Sequence, residues 1–129
     1  MQAVICRSFD GPEALEIGQF ADPVPGPGEI LVEVHAAAVS FMDALMVSGR
    51  YQMRPETPFV PGSDAVGVVA ALGPGVTRFR PGDCVACTRY VGAHGELMVV
   101  GEWEAVRIPD GVPFEQAATL LYAYGTAYY

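Results

Sequence analysis

Cysteine thiols, histidine imidazoles and hydroxyls beside carboxylates are the side chains of this sequence that could do chemistry. Cys84 and Cys87 form a C-x-x-C pair, a spacing found in metal sites and in thiol redox centres. The pair follows a Pro-Gly-Asp turn in a segment that predicts a β-strand. Residues three apart on a strand point to opposite faces, and Cys6 is the only further cysteine. We therefore expect buried or half-buried strand cysteines here rather than a metal or redox site.

The polar pair Ser63-Asp64 interrupts an apolar stretch, after Pro61-Gly62 and before the run AVGVV. It could be a reaction centre, the remainder of a metal site, or a turn that leads into a strand. His35 and His94 lie far from each other in sequence and have no ligand spacing, so each is expected to be an ordinary strand or turn residue.

The segment SFMDALMVSG changes from strand-like to helical spacing. Ser40 and Asp43 have the spacing of a capping box, in which a hydroxyl precedes an acidic residue by three positions. Gly49 is placed to end the helix. The hydroxyl of Ser40 therefore has a sufficient structural role as the N-cap residue.

The remaining segments predict a mainly β protein with about seven short strands, one short internal helix and a C-terminal helix. The C-terminal helix is expected to begin at Pro113 and to run into an apolar, aromatic end without a cap. We interpret this end as that of a chain cut in mid-structure. The predicted strands are AVICRSF, ALEIGQF, ILVEVHAAAV, AVGVVAAL, the CVAC region and two within GAHGELMVVGEWEAVRIPDG.

The composition excludes several classes of function. The 129 residues suit one domain, and the net charge of −8 comes from seven arginines, fifteen acidic residues and no lysine. No basic stripe is available for nucleic acid, and no lysine is available for Schiff-base chemistry. The N-terminus does not predict a signal peptide, and no segment is apolar for the ~20 residues that a membrane helix needs. We expect a soluble cytoplasmic protein that forms a homo-oligomer.

Several motifs together resemble those of the medium-chain dehydrogenase/reductase superfamily, and most closely its zinc-free quinone oxidoreductase (ζ-crystallin-like) branch. They are PVPGPGE, SFMDALMVSGRY, PFVPGSDAVGVVAALGPGVTRFRPGDCV and RIPDGVPFEQAATLLYAYGTAYY. The resemblance covers essentially the whole chain. It implies a GroES-like fold, which is a partly open β-barrel.

In such proteins a Rossmann domain follows at about the point where this sequence stops. No G-x-G-x-x-G stands between a strand and a helix here, so we expect no Rossmann domain in the chain. Residues 1–129 are then a GroES-like catalytic domain that is truncated near the linker. Zinc-dependent relatives carry cysteine at the position of Ser40 and His-Glu at Ser63-Asp64, so the resemblance implies chemistry without zinc.

The resemblance also implies roles for individual residues. In quinone oxidoreductases an asparagine often stands at the position of Ser40 and contacts the nicotinamide end of NADPH. Phe41 is expected beside it, with Phe41 and Met42 either walling the cleft or belonging to the core. Thr126 matches a threonine that approaches the nicotinamide amide. Tyr51 is expected to line the cleft, where its phenol could orient or protonate a carbonyl.

Two hypotheses about function follow. In the first, the chain is the substrate-side domain of an NADPH-dependent quinone or enone oxidoreductase and is inactive as an isolated fragment. Hydride transfer from a nicotinamide needs no protein nucleophile, which agrees with the lack of a strong acid-base constellation. In the second, the chain is a stand-alone GroES-like binding or self-association module without catalysis. The choice of NADPH over NADH is what the resemblance implies.

Overall fold

Short strands and loops account for most of this chain, as its many glycines and prolines predict. A computed structural model describes residues 1–121 and 125–128. Its strands are β1 (Gln2–Ile5), β2 (Glu16–Gln19), β3 (Glu29–Ala37), β4 (Asp64–Leu72), β5 (Cys84–Thr88), β6 (Leu97–Gly101) and β7 (Ala105–Arg107). Its α-helices are α1 (Phe41–Val47), α2 (Phe114–Ala117) and α3 (Gly125–Tyr128). No helix in these two ranges is long and apolar enough to cross a membrane.

The strands form a hairpin and a larger curled sheet. Strands β1 and β2 pair with each other, while the five-stranded sheet has the order β6-β3-β4-β5-β7 with every pair antiparallel. The pairing of β3 with β4 shifts register twice, between Leu31 and Val32 and between Val34 and Ala36. Such irregularities increase the local twist and bend of a sheet. The predicted mainly β architecture with a curled, partly open sheet is confirmed, and the described residues form no Rossmann domain.

The main core lies inside the curl of the larger sheet. Ile30, Val32, Val85 and Val100 have no exposed surface. The first part of β4 is buried on both faces, because Ala65 faces the main core while Val66 packs with Ala117 and Ala118 at the end of α2. Burial on both faces accounts for the continuous apolar run of β4, which has no polar alternation.

Helix α1 forms where the capping box predicted it. The Ser40 hydroxyl accepts a hydrogen bond from the Asp43 backbone N–H at 3.3 Å, and the Asp43 carboxylate accepts one from the Ser40 N–H at 2.9 Å. After the C-cap Ser48, Gly49 takes φ +69°, a left-handed conformation that glycine adopts at little cost. Both helix boundaries were therefore encoded locally.

The C-terminal part differs from the single long helix that the sequence predicts. Helix α2 has only four residues, from Phe114 to Ala117. The backbone N–H and the hydroxyl of Thr119 both donate to the Gln116 carbonyl oxygen, at 3.2 and 2.8 Å. These two hydrogen bonds span three residues. They compete with the regular helical bond, which spans four residues, and they end α2. Helix α3 comprises Gly125–Tyr128.

Candidate functional site

A cleft of about 330 Å³ opens where α1, the end of β5 and the start of β4 meet. Apolar, aromatic and polar side chains line it together. The residues that line it are Met42, Tyr51, Ser63, Thr88, Arg89, Tyr90 and Glu104. Small-molecule sites are typically concave, with apolar walls and a few convergent polar groups.

Strand pairing places the polar residues of the cleft together. Asp64, the first residue of β4, lies opposite Thr88, the last residue of β5. The ladder continues one step beyond, because the Arg89 backbone N–H donates to the Ser63 carbonyl oxygen at 2.9 Å. Ser63 and the segment from Thr88 to Tyr90 are thus neighbours although 25 residues separate Ser63 from Thr88.

Four hydroxyl groups of the cleft have no hydrogen-bond partner within residues 1–121 and 125–128. They belong to Tyr51, Ser63, Thr88 and Tyr90. Each hydroxyl can donate one hydrogen bond and accept others. The cleft can therefore donate hydrogen bonds to a molecule with several oxygen acceptors without breaking an existing hydrogen bond of these hydroxyls.

Arg89 is different, because its guanidinium group is already bound by the protein. Nη1 donates to the Val99 carbonyl oxygen at 3.0 Å, Nη2 donates to the Glu29 carboxylate at 2.9 Å, and Nε lies 3.2 Å from the Glu104 carboxylate. The Gly26 backbone N–H, and then Arg89, hold the pKa of the Glu29 carboxyl below its ordinary value. These contacts fix the backbone that carries Thr88 and Tyr90, and they leave the arginine little capacity to bind a ligand.

The ring of Tyr51 packs against the protein, whereas its hydroxyl makes no hydrogen bond to the described residues. It packs against a buried cluster that includes Met46 and Phe59. Its ring lies 6.4 Å from the ring of Tyr90, at an interplanar angle of 50°. Tilted aromatic pairs at this separation are mutually favourable. The two rings form an aromatic corner at the cleft, as the sequence predicts for Tyr51 and does not predict for Tyr90.

The other predicted site residues are distributed around α1. Ser40 is its N-cap, and Met42, which is 5% exposed, lines the cleft. Phe41 is 79% exposed, so it is neither a core residue nor part of the cleft lining. The side chain of Thr126 lies outside the described residues. Cofactor binding by Ser40, Phe41 and Thr126 stays a prediction.

The capping role of Ser40 leads to a stability prediction. Ser40→Ala removes the acceptor for the Asp43 N–H and should lower the free energy of unfolding by about 1 kcal/mol. Ser40→Asn keeps a capping oxygen and should stay within about 0.5 kcal/mol of the wild type. Urea unfolding of the three proteins measures both values. A Ser40→Ala protein as stable as the wild type would show that the cap contributes nothing.

The C-x-x-C pair has the geometry that strand alternation predicts. Cys84 is exposed, whereas Cys87 is fully buried in the main core. Burial first, and then the charges of Asp64 and Glu104, raise the pKa of the Cys87 thiol to about 12. Cys6 is also buried, and burial raises the pKa of its thiol as well.

The accessibility of the thiols can be counted directly. One thiol, that of Cys84, should react rapidly with a chromogenic disulfide reagent in the native protein, because it is exposed whereas Cys6 and Cys87 are buried. All three thiols should react after unfolding in denaturant. Cys84→Ser should abolish the rapid native reaction. Two rapid equivalents in the native wild type would contradict the burial of Cys6 or of Cys87.

Both histidines have ordinary structural contacts. His94 donates from Nε2 to the Ala38 carbonyl oxygen at 2.9 Å, and it lies 4.0 Å from the Asp43 carboxylate. The His35 ring lies 4.9 Å from the ring of Phe114. No group of three histidine, cysteine or acidic side chains in the described ranges is arranged to hold a metal ion. Independence from zinc stays a prediction, which metal analysis of the purified protein tests.

A curled antiparallel sheet with a polar cleft at the strand ends is the architecture that the resemblance to GroES-like domains predicts. Residues 26–110 match the family described as the alcohol dehydrogenase GroES-like domain. The chain therefore belongs to that family.

Several proteins to which the chain is similar are quinone oxidoreductases. The chain is 42% identical to the quinone oxidoreductase of Pseudomonas aeruginosa over 115 residues, which are 88% of this chain and 35% of the relative. It is 33% identical to the human quinone oxidoreductase over 130 residues, covering 99% of this chain and 40% of the relative. The structure of Escherichia coli quinone oxidoreductase complexed with NADPH matches with a TM-score of 0.93 and 31% identity, over 100% of this chain and 40% of the other. The chain thus spans about two fifths of the length of these relatives.

The sequence interpretation missed part of the cleft. Thr88, Arg89, Tyr90 and Glu104 were not selected as site residues, although all four line it. A signal was present, since Thr-Arg-Tyr is a polar and aromatic triplet at the end of an otherwise apolar strand. Polar residues at strand ends are candidates for a site only when another element approaches them, and that approach is a tertiary feature.

Proposed function

We propose that this chain forms the substrate-side domain of an NADPH-dependent oxidoreductase that reduces quinones or enones without zinc. The observation that carries the proposal is the cleft with four unengaged hydroxyls. Family membership and the similarity to quinone oxidoreductases support it. The similarity to a structure that contains NADPH supports the choice of cofactor.

The cleft fits the reacting end of the cofactor and an acceptor better than a whole dinucleotide. Its 330 Å³ lies at the low end of the ~300–1,000 Å³ of small-molecule sites. The cation among its lining residues, Arg89, is committed to Glu29 and Glu104 and is not available for phosphates. We therefore propose that the cleft holds the nicotinamide end, and that Ser40, Phe41 and Thr126 are further contacts of the cofactor.

When bound, NADPH supplies a hydride, which together with one proton reduces a quinone to a hydroquinone and leaves NADP⁺. The residues of this chain bind and orient the acceptor. The Tyr51 hydroxyl donates a hydrogen bond to a carbonyl oxygen of the acceptor, where negative charge develops as hydride arrives, and can pass its proton to that oxygen. Ser63 offers a second donor from the floor of the cleft, and Met42 supplies an apolar surface that excludes water.

The test is oxidation of NADPH by the protein expressed from its complete reading frame, with naphthoquinone or cyclohexenone as the acceptor. We expect acceptor-dependent loss of NADPH absorbance, and we expect the chain of 129 residues alone to show no turnover. Lack of any NADPH oxidation with every quinone and enone would refute the proposed function. Turnover by the 129-residue chain would refute its inactivity alone.

A second candidate, a self-association module, is favoured by one observation. Within the described sheet β6 and β7 are edge strands, and Phe41 and Val39 expose apolar side chains beside Ser40. Open edges and exposed apolar groups favour pairing between chains. Sedimentation decides this point: a strict monomer at high concentration would exclude the module, and a dimer would support the proposed homo-oligomer.

A further inference from the structure

The end of β5 carries two free hydroxyls that the reduction of a single carbonyl does not require. Tyr51 and Ser63 already provide donors for one carbonyl oxygen. Thr88 and Tyr90 line the same cleft and have no hydrogen-bond partner in the described part of the chain. A quinone has two carbonyl oxygens, whereas an enone has one. We propose that Thr88 and Tyr90 bind the second oxygen of the acceptor and select quinones over enones.

The proposal depends on a rigid strand end, which the structure provides. Arg89 stands between the two residues, and its backbone N–H is bonded to the Ser63 carbonyl. Its guanidinium group contacts three partners: Val99 on β6, Glu29 at the start of β3, and Glu104 in the turn before β7. A backbone held on both sides keeps the neighbouring hydroxyls in place at little entropic cost on binding.

The environment of the two residues differs from that of an ordinary surface pair. Thr88 is half-buried at the point where β5 ends. Tyr90 is 52% exposed, but its ring is tilted against that of Tyr51, and both rings border the cleft. A planar acceptor ring can pack against this aromatic corner while its oxygens reach the hydroxyls. The hydroxyls thus add direction to a contact that is otherwise only apolar.

This inference rests on the proposed function, and its test measures binding without NADPH so that the two can fail separately. The probes are naphthoquinone, with two carbonyls, and α-tetralone, a benzo-fused ketone of the same ring size with one carbonyl and a partly saturated ring. Each variant is compared with the wild type for the same probe, so this difference in saturation cancels. Quenching of Trp103, the single tryptophan, reports binding, because Trp103 directly precedes the cleft residue Glu104. Calorimetry provides an independent measurement. All proteins carry Cys84→Ser, since the exposed thiol could add to a quinone.

The variants are Thr88→Val, Thr88→Ser and Tyr90→Phe, each close in shape to the wild type. Thr88→Val and Tyr90→Phe should each raise the Kd for naphthoquinone roughly 3- to 10-fold, the effect of one lost hydrogen bond. The Kd for α-tetralone should change by less than about twofold. Thr88→Ser retains the hydroxyl and should bind both probes as the wild type does, and Tyr51→Phe should weaken the binding of both.

Three outcomes would overturn the inference. The first is that the wild type binds naphthoquinone no more tightly than α-tetralone. The second is that Thr88→Val and Tyr90→Phe both leave the Kd for naphthoquinone unchanged. The third is that these two variants raise the Kd for the two probes equally. If Thr88→Val unfolds, the comparison of Tyr90→Phe with Thr88→Ser decides the matter. Quinone selectivity without NADPH oxidation by the complete protein would support the binding inference and refute the proposed function.

Discussion

Tyr51→Phe in the complete protein is expected to lower kcat for quinone reduction by about 100-fold, the lower range for loss of a general acid. The phenylalanine keeps the ring that packs against Met46 and Phe59, and it removes only the hydroxyl in the cleft. The acceptor oxygen then gains negative charge without a donor. The measurement is the steady-state rate of NADPH oxidation with naphthoquinone, over a range of acceptor concentrations.

The control for this prediction is stability. The hydroxyl of Tyr51 makes no hydrogen bond to the described part of the protein, so the free energy of unfolding should stay within about 0.5 kcal/mol of the wild type. A kcat within about threefold of the wild type would show that Tyr51 neither donates a proton nor stabilises the developing charge. A rise in KM with unchanged kcat would reduce its role to acceptor binding.

The largest effect on folding is expected at a glycine of β4. A Cβ atom on Gly67 would lie 1.9 Å from the backbone oxygen of Glu33 and 3.1 Å from Cγ1 of Val32. Strands β3 and β4 approach each other this closely beside the two register shifts, where the sheet curls. Because the obstacle is backbone, no side-chain rotation can relieve it. Gly67→Ala should lower the free energy of unfolding by about 3 kcal/mol or more, at the upper end for overpacking.

Gly75 provides the matched control for Gly67→Ala. It lies in the turn after β4 with φ +81°, and no atom lies within 4 Å of a Cβ placed there. Gly75→Ala should therefore cost only the left-handed backbone strain, about 1–2 kcal/mol. Urea unfolding of both variants measures the difference. Equal costs would show that β3 and β4 separate easily and that the close approach does not constrain the sheet.

The helix α1 and the main strands could be predicted because their signals are local. Ser40, Asp43 and Gly49 specify the two ends of a seven-residue helix through bonds within their own segment. The opposite orientation of Cys84 and Cys87 likewise follows from strand periodicity alone. The C-terminal helix was predicted too long, because the competing bonds of Thr119 to Gln116 interrupt it, and propensity does not reveal such bonds.

For the polar pair Ser63-Asp64, the sequence and the structure each provide a different part of the description. The sequence identifies it as a polar interruption before a strand and, with the resemblance, as a position where zinc ligands do not stand. The structure shows that Ser63 is buried at the floor of the cleft and that its carbonyl oxygen accepts from Arg89. Its neighbours are decided by strand pairing over 25 residues, which no local pattern encodes.

The sequence by itself determined the family, the curled β architecture and the cap of α1, and it gave Tyr51 as a candidate site residue. These depend on motif spacing and on short-range periodicity. Only the tertiary structure decided that Thr88, Tyr90, Ser63 and Tyr51 share one cleft and that Arg89 is committed to Glu29 and Glu104. The physical reason is that a binding site is formed by elements brought together by sheet register and curl, so its composition follows from the packing of distant segments.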